Sequence, residues 1–175
     1  MMRLPLAALL SVILSGCLGT GPQGGAYRDT SLPLSVTTRG NAQDMAGPWF
    51  VRAYTPGDRS VAMVNFLPEV DGAPAVELTR EGCDLSGDCV AERELWRSTP
   101  LGQNRVRLTR TGTRETRELW VVWVDEGFRT AAVGTPDGSY GWILDRRPTG
   151  GEDRIRAASE ILEFNGYDIR TMKVR

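Results

Sequence analysis

The sequence predicts an all-β fold, an antiparallel sandwich or barrel, on three observations. Short apolar runs recur at close intervals from residue 47 onward. Gly, Pro, Asn and Asp separate them, and these residues favour turns because Gly tolerates positive φ, Pro fixes φ, and Asx side chains bond their own backbone. No interval is long enough for the helical crossover that joins parallel strands.

The first strand is expected over residues 48–54, stopped by Thr55-Pro56-Gly57-Asp58. The second covers 60–67 and ends at Pro68 and the Asp71-Gly72 turn, and the third covers 74–80. Residues 89–98, 104–110 and 117–124 follow. The fifth alternates through Val106 and Leu108, and both faces of the sixth are apolar, which leaves open whether Leu119, Val121 and Trp123 or Trp120, Val122 and Val124 point inward. Residues 128–133 and 139–145 form a hairpin across Gly134, Pro136, Asp137 and Gly138. Its second strand carries Tyr140, Trp142 and Leu144 on one face, and alternation brings Arg146 onto the same face, where an indole is a good partner for a guanidinium.

One helix is predicted over residues 152–164. Ile155, Ala158, Ile161 and Leu162 make an apolar stripe, Glu152 and Asp153 suit the positive end of the helix dipole, and Asn165-Gly166 supplies the stop. The tail, 167–174, has the length for one more short strand.

Charge and composition exclude several functions. The 175 residues carry 21 basic and 22 acidic side chains, so no basic excess points to nucleic acid. There is no histidine, which removes Ser-His-Asp triads, Cys-His pairs and histidine-ligated metals. Carboxylates pair at Glu92 and Glu94 and at Glu115 and Glu118, but in no catalytic motif. No catalytic residue, cofactor or metal is expected.

Residues 1–16 read as an export signal, with Arg3 as the positive start and an apolar stretch over 4–14 that is too short to span a bilayer. Leu14-Ser15-Gly16-Cys17 looks like the lipobox of bacterial lipoproteins, which implies cleavage before Cys17 and lipidation of its thiol and new amine. Residues 17–45 then read as a flexible tether rich in Gly, Pro, Ser and Thr, in which Leu32, Leu34 and Val36 alternate. Export implies an oxidising compartment. Cys83 and Cys89 flank a tight turn there, so a disulfide is expected between them.

Gly47-Pro48-Trp49, Asp125 after the sixth strand, and Trp142-Ile143-Leu144-Asp145-Arg146 resemble the three short conserved regions of the lipocalins, and most closely those of bacterial outer-membrane lipocalins. The likeness covers residues 46–173. It implies an eight-stranded antiparallel up-and-down barrel over residues 46–175, with the helix packed outside and a cavity for a small hydrophobic ligand such as a fatty acid or lysophospholipid. In that pattern Trp49 plugs the closed end and Arg146 lies across its ring. Alternation nominates Val61, Met63, Asn65, Leu67, Tyr140, Trp142 and Leu144 as cavity residues. The expected location is the periplasmic side of the outer membrane, since Leu18 is not the aspartate familiar as an inner-membrane retention signal. One departure bears on ligand polarity. The stretch from the fourth to the sixth strand is charged, with arginines at 93, 97, 105, 107, 110, 114 and 117. An exported protein-binding barrel of the bacterial protease-inhibitor type is the alternative, with residues 21–40 as its inserting segment.

Overall fold

The computed structural model describes residues 26–58, 60–70, 73–83 and 86–175, with only the backbone of Glu69 and Cys83. The leader and Cys17 lie outside the described residues. Eight antiparallel strands follow one another: β1 (Gly47–Tyr54), β2 (Val61–Val70), β3 (Ala73–Cys83), β4 (Cys89–Gly102), β5 (Arg105–Arg110), β6 (Thr116–Val124), β7 (Thr130–Gly134) and β8 (Gly141–Asp145). Each pairs with the next, and β1 pairs with both β2 and β8, which closes the sheet into an up-and-down barrel. A short β9 (Lys173–Val174) adds to the free part of β1.

Three bulges decide which side chains face inward. An extra residue at Arg52 turns β1, so Val51 faces the interior while Ala53 faces out. Val122 does the same in β6: Leu119 and Val121 point in, Trp123 points out, and Val124 returns to the interior. Both of its faces are apolar because the outer one is covered by a helix.

The third bulge, at Ala62, corrects the expected cavity face of β2. Val61 is buried inside, but the extra residue puts Val64 and Phe66 on the inner face. Met63, Asn65 and Leu67 therefore fall on the opposite face, because one inserted residue exchanges the two faces of a strand.

Helix α1 (Glu152–Phe164) packs on the outside of the wall. Its Ala158 and Leu162 meet Ala53, Val122, Ala132 and Ile143. Two of those wall residues are alanines, which lets the helix backbone approach. Arg154 ties the start of the helix to the barrel through Asp145 (3.2 Å) and Thr130. Asn165 and Gly166, the latter at φ +87°, end it as the sequence predicts.

The expected tether is corrected as well. From Ala26 onward the chain lies on the barrel. Arg28 is buried and donates to the carbonyls of Asn165 (3.1 Å), Pro136 (2.6 Å) and Leu32. The Asn165 side chain accepts from the amide and hydroxyl of Ser35, both at 2.7 Å. Leu34 packs against the helix-side core, and Thr37 bonds the backbone of Val121. A segment with so many specific partners is part of the domain.

Asp125 holds the β6–β7 turn. It accepts from the amides of Arg129 (2.6 Å), Thr130 (2.8 Å) and Gly127 (3.3 Å) and from the Arg129 side chain (2.8 Å). Burial alone would raise its pKa, but these bonds outweigh burial and hold the carboxyl below its ordinary 3.8. A folded value below the unfolded one stabilises the protein above the unfolded value, and that stability is lost as pH falls through the folded value. Unfolding free energy in urea is expected to drop as pH falls below about 4. Asp125→Asn is expected to make that drop shallower; an unchanged profile would show that Asp125 does not contribute.

Candidate functional site

The two ends of the barrel differ. At one end Trp49 is fully buried and its indole N–H donates to the Met45 carbonyl (2.8 Å). The Arg146 guanidinium carbon stands 3.8 Å above the centre of that ring. Arg146 also bonds the carbonyls of Pro48 (3.1 Å), Asp44 (3.3 Å) and Phe128 (3.4 Å). The end of β8 and the start of β1 thus meet under a guanidinium that has a carbonyl for each of its nitrogens. Gly47, at φ +90°, leaves room for it: a Cβ there would stand 3.3 Å from Nη1.

The opposite end, the mouth, is built from charge. Alternation along β3 puts Arg80 on the same face as Val76 and Leu78; Glu94 shares a face with Trp96, Arg110 with Leu108, and Arg117 with Leu119 and Val121. Each of these four strands therefore turns a charged residue inward near the mouth. Asp58, in the β1–β2 connection, bridges Arg80 and Arg117 at 2.7 Å each. Glu94 bridges Arg80 and Arg110 at 3.0 Å each and accepts from the Trp96 indole (3.2 Å). Arg110 also pairs with Glu115 (3.4 Å) and Glu92 (3.9 Å), so each of the three arginines has an opposite charge. Burial by itself disfavours the Arg80 cation, but the bonds and charge of Asp58, then of Glu94, outweigh it and raise its pKa.

Arg117 is the hinge of this network. Its guanidinium carbon lies 4.7 Å from the Tyr140 ring centre and 5.1 Å from that of Trp96. The Tyr140 ring in turn lies 4.5 Å from Trp142. Burial pushes the Tyr140 phenol up, and its hydroxyl donates to the Glu118 carbonyl, so it stays protonated. Trp142 is fully buried, yet its indole N–H has no hydrogen-bond partner among the described residues. A groove of about 550 Å³ opens beside Arg117, lined by Arg107, Thr116, Glu118, Pro136 and Asp137.

Of the residues nominated from sequence, Val61, Tyr140, Trp142 and Leu144 come together in the interior. Met63, Asn65 and Leu67 do not join them. Asp58, Arg80, Glu94, Trp96 and Arg117 went unnominated, although the inward charge at the end of each apolar run is visible in the alternation. Cys89 stands opposite Cys83 at the far end of the β3–β4 pair. Among the described residues no group of three or more Cys, Asp or Glu is placed to hold a metal.

Comparison with known proteins agrees with this architecture. Residues 104–175 match the model of a lipocalin-like domain. No curated protein matches the chain in sequence. Among solved structures it is similar to apocrustacyanin C2, at 14% identity and TM-score 0.57, over 86% of this chain and 87% of that one. It is also similar to lobster apocrustacyanin A1, at 13% and 0.54, over 75% and 77%. H1 crustacyanin from the lobster Homarus americanus gives 12% and 0.53, over 82% and 88%. At these identities the likeness is one of fold.

Proposed function

We propose that this lipocalin-like barrel binds a small amphiphile, such as a fatty acid or lysophospholipid, through the end that carries Arg117. The observation that carries the reading is the unpartnered indole N–H of Trp142, buried beside Tyr140, whose ring also meets Arg117. Leaving a buried donor unpaired costs about 1–3 kcal/mol, which an oxygen on the ligand would recover. The Arg117 guanidinium, once turned from Asp58, favours an anionic head, and the apolar wall below it favours a chain. Entry requires Arg117 to swing from Asp58. In this reading the role is binding rather than catalysis.

The test compares a fluorescent fatty acid with its uncharged methyl ester. Arg117→Met is expected to weaken the acid about tenfold or more, the loss of one charge-assisted hydrogen bond, and to leave the ester nearly unaffected. Absence of saturable binding of either probe to the unaltered protein would overturn the proposal.

The same reading places the protein in the cell envelope. Cleavage before Cys17 and acylation there would anchor it, on the periplasmic side of the outer membrane. The opposed backbones of Cys83 and Cys89 favour a disulfide in that oxidising compartment.

A protease-inhibitor type of barrel is the second reading, favoured by the indoles of Trp49, Trp96 and Trp142, which occupy the interior. Against it, the segment from Ala26 to Gly40 is held on the barrel wall by Arg28, Ser35 and Thr37 rather than free to insert elsewhere.

A further inference from the structure

The chain arrives at the barrel beside the mouth, because the Tyr27 amide bonds the carbonyl of Gly138 in the β7–β8 turn (2.7 Å). If Cys17 carries the anchor, as proposed above, the nine peptide steps from Cys17 to Ala26 span at most about 30 Å. The acyl chains would then be tethered within that distance of this end.

A second, independent observation concerns exposed apolar side chains. Among the described residues the large ones are Leu32 (44% exposed), Val90 (69%), Phe164 (84%) and Val174 (75%). All four sit at the mouth end. Val90 pairs with Gly82 on the β3–β4 hairpin, beyond the inward Arg80. Phe164 is the last residue of α1, where Tyr167 packs against the mouth ends of β7 and β8 at Gly134 and Gly141. Leu32 lies beside Gly166 in the same corner, and Val174 pairs with Ala53 near the end of β1. Lys173, next to Val174, is exposed on the same rim, while Arg170 is paired with Asp168 (2.8 Å). Exposed apolar side chains gathered at one end suit a phospholipid surface.

We propose that the mouth rim docks on the membrane surface, with Phe164 and Val90 entering the lipid interface, so that the barrel opens toward the bilayer holding its anchor. Ligand would then pass between bilayer and barrel without crossing water. The proposal rests on the anchoring reading, and the experiment separates the two.

The full lipidated protein is placed on vesicles of phosphatidylethanolamine and phosphatidylglycerol. A polarity-sensitive fluorophore is attached in turn to Phe164→Cys, to Val90→Cys and to Gln43→Cys, an exposed position at the sealed end. Emission is expected to shift to the blue on vesicles at 164 and 90 and to stay unchanged at 43. Protein that floats with the vesicles while 164 and 90 report water, or while 43 shifts as much as they do, overturns the docking and spares the anchor. Protein that does not float overturns the anchor and the docking with it.

Discussion

Trp49→Ala is expected to destabilise the domain by about 3–5 kcal/mol, the cost of removing a large aromatic from a core that relaxes only in part. The ring is fully buried, its N–H is bonded, and it carries Arg146 on its face. Arg146→Ala is expected to lose about 1–2 kcal/mol, the scale of a partly desolvated cation–π contact. Arg146→Lys should recover only part of it, because an ammonium neither stacks as a plane nor reaches the carbonyls of Pro48, Asp44 and Phe128 together. Urea unfolding of the single and double variants reads the coupling. A value of about 0.5 kcal/mol or more marks a working pair, and additive losses would show that the stacking contributes nothing.

Asp58→Ala is expected to cost a similar amount, about 3–5 kcal/mol, for a different reason. Asp58 is the only carboxylate within ion-pair distance of Arg117 among the described residues, and one of two that hold Arg80. Its removal leaves a guanidinium turned into the barrel with no opposite charge, and breaking a buried pair from one side is far more harmful than never having built it. Asp58→Ala combined with Arg117→Met is therefore expected to be more stable than Asp58→Ala alone. A double variant that is less stable than either single one would mean that Arg117 is held by its aromatic neighbours and not by charge.

The architecture was legible where a single residue type performs a local task. The turn formers between strands, the stripe of α1 and its Asn165-Gly166 stop all act within a few residues of themselves. Trp49 and Arg146 were legible as a pair only through the lipocalin resemblance, since 97 positions separate them. Bulges were not legible. Ala62, Arg52 and Val122 carry no mark that distinguishes an inserted residue from a paired one, yet each exchanges the faces of its strand, and Ala62 moved Met63, Asn65 and Leu67 out of the interior. The segment from Ala26 looks like a tether because its partners are distant: Arg28 and Ser35 both meet Asn165, more than 100 positions away. Asp58 reads as one more turn acid for the same reason, its arginines lying 22 and 59 positions further on.

The central claim is that a sealed barrel, anchored at Cys17, holds a small amphiphile at the Arg117 end. Native mass spectrometry of the protein extracted from its own membranes tests it most directly. The account predicts a chain that begins at Cys17, bears a diacylglyceryl group and an amide-linked acyl chain, and is lighter by two hydrogens than a chain with both Cys83 and Cys89 as thiols. It also predicts one further lipid, bound without a covalent bond and released on collisional activation. A barrel that emerges with no such lipid, and that takes up no fatty-acid probe afterwards, would contradict it.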